Sequence, residues 1–138
     1  MRKHHSGLLL VAATFCAASA FAQPTFVGMW YSANQPDEPD VMSLIEFRAD
    51  GTFREEFRKC ENGSVVGFQE ESGTWSVKDG VELLTVERLN GDEVQIDGMY
   101  SVELLTDGER RIRMLPDGLL FVSHRVSKFE FPECPSGA

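Results

Sequence analysis

The sequence predicts an all-β chain: eight antiparallel strands in an up-and-down barrel, with no major helix after the N-terminal segment. Seven Asn-Gly or Asp-Gly doublets, at 50–51, 62–63, 79–80, 90–91, 97–98, 107–108 and 117–118, supply turn chemistry. Asn, Asp and Gly tolerate the positive φ that tight hairpins demand. Between the doublets lie short runs of alternating apolar and polar residues, and no stretch holds a helical period. A meander of eight strands exposes two edges unless it closes on itself, so closure is expected.

Residues 1–22 read as a signal peptide that is cleaved. Arg2, Lys3, His4 and His5 make a basic start. The apolar run over 8–15 is too short to cross a bilayer, and Ala20-Phe21-Ala22 fits the small-x-small cleavage rule. The bulky Phe15 before Cys16 argues against a lipid-modified cysteine. The expected product is a periplasmic or secreted chain beginning at Gln23, a single domain over 23–138.

The strands follow in order. The first covers 26–33 and leads into an acidic, proline-containing loop over 34–40. The next two, 41–48 and 52–59, flank Ala49-Asp50-Gly51. The fourth and sixth, 64–77 and 92–105, are long and carry internal glycines (Gly67, Gly73 and Gly98), where a strand wrapping a small barrel must bend. Asp97-Gly98 is therefore read as a bulge or bend inside the sixth strand, not a turn. The fifth, seventh and eighth cover 81–89, 109–115 and 119–126.

Register follows from loop length. A three-residue loop at Ala49-Asp50-Gly51 sets Phe47 opposite Phe53 on one face. The same logic at Lys78-Asp79-Gly80 pairs Val77 with Val81 and sets Trp75 opposite Leu83. Around Pro116-Asp117-Gly118 two registers are open. Inward faces are assigned to Phe53, Glu55 and Phe57 on the third strand and to Val94, Ile96, Tyr100, Val102 and Leu104 on the sixth.

Without its first 22 residues the chain has 116 residues, 11 basic and 22 acidic side chains, and a formal charge of −11. That balance excludes nucleic acid and anionic membrane as expected partners, and no membrane insertion is expected after cleavage. Arg110-Arg111-x-Arg113 reads as a solvated strand face. Cys60 and Cys134, an even pair in an exported chain, imply one disulfide that ties the tail to the barrel wall.

Phe26-Val27-Gly28-Met29-Trp30-Tyr31 carries a Gly-x-Trp on the first strand of an eight-strand meander. This resembles the lipocalins and their shorter calycin relatives, above all short bacterial lipocalin-like domains. The resemblance implies a structural role for Gly28 and for Trp30, which closes one barrel end beneath Arg125 of the last strand. A tail cysteine bonded to the wall is also lipocalin-like. The chain departs from the family in leaving no room after the eighth strand for the helix that usually packs on the barrel.

Chemistry is sparse. His124 is the one histidine after residue 22 and has no nucleophile signature near it, so no enzyme and no catalytic residue is expected. Asp37, Glu38 and Asp40 are interrupted by prolines and read as a solvated loop, so neither metal nor cofactor is expected. Glu55, inward between Phe53 and Phe57, is the residue that stands out, because a buried carboxyl must find a partner or shift its pKa upward. Candidate ligand-binding residues are Trp30, Phe47, Phe53, Glu55, Phe57, Trp75 and Tyr100, which either line a cavity or fill it. The function expected is binding of a small apolar or amphipathic molecule by a monomer. The alternative is a protein-binding module, such as a periplasmic inhibitor of a secreted protease, with a filled barrel.

Overall fold

The structure, a computed structural model, describes residues 24–136, so the signal-peptide reading of 1–22 lies outside the described residues. Eight strands run in chain order: β1 (Gly28–Ser32), β2 (Val41–Phe47), β3 (Thr52–Glu61), β4 (Ser64–Lys78), β5 (Val81–Leu89), β6 (Asp92–Leu105), β7 (Glu109–Leu115) and β8 (Leu120–Val126). Each pairs antiparallel with the next, and β8 pairs with β1 to close the barrel. The expected all-β meander is the observed one, and β5, β6 and β7 have the expected bounds.

The turns divide by chemistry. Asn62-Gly63, Asp79-Gly80 and Asn90-Gly91 are two-residue loops in which both residues have positive φ. At Asp50-Gly51 only the glycine is left-handed, because the Asp50 carboxylate accepts from both the amide and the hydroxyl of Thr52. That gives the wider loop and the Phe47–Phe53 pairing that the sequence predicts. The register expected across Asp79-Gly80 is wrong by one residue. Lys78 pairs with Val81, so Trp75 lies opposite Leu84 and not Leu83. The fifth strand thus turns Glu82, Leu84 and Val86 inward and leaves Leu83 outside. At Pro116-Asp117-Gly118, Arg113 pairs with Leu120, with Met114 donating its amide to Leu119.

Asp97-Gly98 lies inside β6 in unbroken register with β5, a bend without a bulge of its own. The bulges fall nearby on β6, at Val94-Gln95 opposite Glu87 of β5 and at Glu103. The second of these reverses the alternation, so Leu105, rather than the expected Leu104, packs on the core. At Gly73 a Cβ would collide with the Thr85 carbonyl, so the strand crossing there admits no side chain.

One end of the barrel is solid. Phe26, Trp30, Phe47 and Phe53 are buried together, and Trp75 packs edge-on to Phe47 at 5.2 Å between ring centroids. Arg125 seals this end, its guanidinium stacked 4.2 Å from the Trp30 ring. Its nitrogens donate to the carbonyls of Thr25, Val27 and Asp107 at 2.6–2.8 Å. A Cβ on Gly28 would meet that guanidinium, and Gly28 has φ +129°, so the Gly-x-Trp motif is a fit to Arg125.

The tail after β8 runs along the outer face of β2 and β3. Phe129 stacks on Arg54 at 3.9 Å and Phe131 on Arg58 at 4.3 Å, and Cys134 is bonded to Cys60. The outward Leu44, between these two stacks, and Met42, opposite Arg58, are buried. The tail thus covers an apolar strip of the wall, and no helix occurs among the described residues. Replacing both cysteines by alanine removes a cross-link spanning 74 residues and should lower stability by about 2–4 kcal/mol. The measurement is the urea midpoint of the oxidised protein beside that of Cys60→Ala/Cys134→Ala; equal midpoints would show that the tail holds without its bond.

Candidate functional site

Above the aromatic plug the barrel is not filled. A cavity of about 260 Å³ lies between the plug and the end that carries the 33–40 loop. Its walls are apolar at Ile45, Phe57, Leu84, Ile112, Met114 and Phe121, and polar at Ser32, Gln35, Ser43, Glu55, Glu71, Tyr100, Arg110 and Ser123. Ile96, on the rim, is 49 % exposed, so the cavity reaches solvent beside β6. Space exists because serines stand at three inward positions, and because Gly98 leaves its place to the ring of Tyr100.

The floor is a buried ion pair. Arg110 grips Glu82 through two nitrogens, at 2.6 and 3.2 Å, and donates to Ser123. Both side chains are almost wholly buried, and the guanidinium lies 5.0 Å from the centre of the Phe47 ring. The bidentate geometry compensates two desolvated charges, and breaking one partner of such a pair is the costly change. Only part of the expected solvated arginine face is therefore correct. Arg111 and Arg113 point outward to Glu109 and Glu103, but Arg110 alternates with Ile112 and Met114 and faces in.

Glu55 projects into the cavity directly across from Glu71 of β4. Burial pushes Glu55 up to about 8, the nearby Glu71 adds to the shift, and Arg110 and the Ser43 hydroxyl oppose it. Burial also raises Glu71, against the amide of Gln69, which donates to it at 2.7 Å. Tyr100 is pushed up to about 12 by burial and by the same acids. Above them Gln35, from the 33–40 loop, is buried and donates to Ser43 at 3.0 Å.

The candidate residues split between plug and cavity. Glu55, Phe57 and Tyr100 line the cavity, whereas Trp30, Phe47, Phe53 and Trp75 do not; they pack in or against the closed end. Sequence reasoning missed Glu82 and Arg110, and with them Glu71 and Gln35. The alternation Arg110-x-Ile112-x-Met114 carried the signal for Arg110. His124 is exposed on β8, and Asp37, Glu38 and Asp40 are exposed in their loop.

A closed eight-strand antiparallel meander, sealed at one end by Gly-x-Trp and a last-strand arginine and hollow at the other, defines a calycin-type binding barrel. The family model described as Lipocalin-like domain matches residues 26–109, from the plug through the start of β7, and the chain belongs to that family. No curated protein matches the chain.

Two outcomes are expected. Arg110→Met leaves the Glu82 carboxylate buried without its cation and should cost about 3–5 kcal/mol, with most of that recovered in Arg110→Met/Glu82→Gln. Urea denaturation of the three proteins checks this, and equal costs for the single and double changes would contradict it. The second outcome concerns pH. Glu55 binds its proton more tightly folded than unfolded, so its contribution is intact below about pH 4.5 and is lost as pH rises to about 8. Glu46, Asp50 and Glu103 are shifted downward by Arg54, Thr52 and Arg113, so their contributions are lost only on further acidification. Stability should therefore fall from pH 5 to pH 8 by on the order of a few kcal/mol, and Glu55→Gln should flatten that slope. A slope unchanged in the variant would show that Glu55 does not carry it.

Proposed function

We propose that this barrel is an exported, non-catalytic carrier or sensor of a small amphipathic molecule. The observation that supports this reading is the hollow upper half of a lipocalin-like barrel, whose lining interleaves polar groups with aliphatic and aromatic ones. Its volume of about 260 Å³ stands at the lower limit of ligand pockets, which suits a molecule of one ring or a short chain and not a long lipid. Apolar contact would supply affinity, and the polar groups among the lining would set orientation. The disulfide between distant cysteines suits an oxidising compartment. Among the described residues no triad-like arrangement accompanies the titratable groups: the exposed His124 is not among the cavity-lining residues with Glu55 and Tyr100.

A second reading, docking of a protein partner, has one feature in its favour. Leu83, Met99 and Leu115 form a continuous outward row across β5, β6 and β7, each between 38 % and 49 % exposed. The filled interior on which that alternative was founded is absent above the plug.

Native mass spectrometry of the mature protein from its own host, beside a denatured control, tests the first reading. A mass excess that disappears on denaturation is expected, and Met114→Trp, which places an indole in the cavity, should abolish it. Bare masses for both proteins, each two hydrogens below the reduced value, would shift the assignment to the outer row.

A further inference from the structure

We infer that the molecule held by this cavity is a small organic cation, such as a primary amine on an apolar body, with its charged head between Glu55 and Glu71. The inference rests on the ligand-binding reading above and names the chemical class. Glu55 and Glu71 are direct cross-strand partners on one face of the sheet, and both line the cavity. Like charges placed directly opposite repel, so sheets disfavour the arrangement.

The described residues supply these two carboxyls with no free counter-charge. Neither carboxyl takes part in an ion pair among the described residues. The one basic side chain lining the cavity, Arg110, is held by Glu82 through two bonds. The remaining polar lining also offers acceptors. Gln35 gives its amide nitrogen to Ser43 and keeps its side-chain carbonyl as an acceptor, although no fully buried polar side-chain atom among the described residues lacks a partner. Burial first, and the facing Glu71 second, push Glu55 up to about 8, and the committed Arg110 offsets this only in part.

An ammonium group carries three donors and no acceptor, which matches two carboxyls and an amide oxygen. The rings of Phe57 and Tyr100 stand in the same lining and favour a cation electrostatically. Phe121 and Ile96 leave an apolar wall for the rest of the molecule. An anionic amphiphile, by contrast, would bring a further negative charge to a site whose only cation is already committed.

Three probes of matched size separate the possibilities: 2-phenylethylamine, 2-phenylethanol and phenylacetate. Each is titrated into the oxidised ¹⁵N-labelled protein at pH 7, following backbone amides of β3, β4 and β6. The amine should bind at least about tenfold more tightly than the alcohol, with phenylacetate weakest. Glu55→Gln and Glu71→Gln should each weaken the amine by about tenfold and leave the alcohol within about twofold. The dispersed amide spectrum of each variant shows that it is folded, and two independent variants guard against one failing. Equal binding of amine and alcohol, tighter binding of phenylacetate, or amine binding unchanged in both variants would overturn the cation assignment while the cavity reading stands. No shift at cavity residues with any probe would overturn both.

Discussion

The barrel depends on the clamp that Arg125 makes at its closing seam. A meander brings its first and last strands together only after the whole chain has folded, and here the seam is short, with three paired positions on each strand. Trp30 and Arg125 are partners across it, so the guanidinium that stacks on the indole also grips carbonyls before β1 and after β6. One side chain thus joins the N-terminal segment, the β6–β7 loop and the last strand. Charge-assisted bonds to three carbonyls and a ring face give a closure that ladder hydrogen bonds over so few residues would not supply alone. Gly28 follows from the clamp, since any side chain there would occupy the place of the guanidinium.

The closed end determines what the open end can do. The plug of Phe26, Trp30, Phe47 and Phe53 excludes water from beneath Arg110 and Glu82, so their attraction acts in a medium of low effective dielectric. With Arg110 fixed there, Glu55 and Glu71 above it stand without an uncommitted cation. The order along the barrel axis is therefore aromatic plug, neutralised ion pair, then a cavity lined by acids among apolar groups. Each layer sets the electrostatics of the next.

The fold was legible because turn chemistry is local. Three of the Asx-Gly doublets form two-residue turns with both φ values positive, and alternation between them fixed the strands almost to the residue. What was not legible hinged on single-residue differences in register. Asp79-Gly80 lacks the Asp–Thr hydrogen bonds that widen the loop at Asp50-Gly51, and counting both loops alike turned Glu82 outward. The bulge at Glu103 likewise exchanged Leu104 for Leu105. For the site, Glu55 could be read from its aromatic neighbours on one strand. Its relation to Glu71 and Arg110 depends on pairing across three other strands. Nor could the sequence divide the aromatic residues between plug and wall, because both face inward with the same period.

A barrel of this size could have been filled with aliphatic side chains, and the acids in its interior work against its stability. Burial disfavours the ionised forms of Glu55 and Glu71, and the charge of Glu71 adds to the upward shift of Glu55. Elements distant from the cavity offset that cost: the Arg125 clamp, the disulfide and the tail stacked on Arg54 and Arg58. None of these lines the cavity. Polar groups that destabilise a free protein, held in a scaffold reinforced elsewhere, are what a binding site requires when its ligand provides the missing charge. The separation of reinforcement from strain along this barrel is itself an argument that the cavity is used.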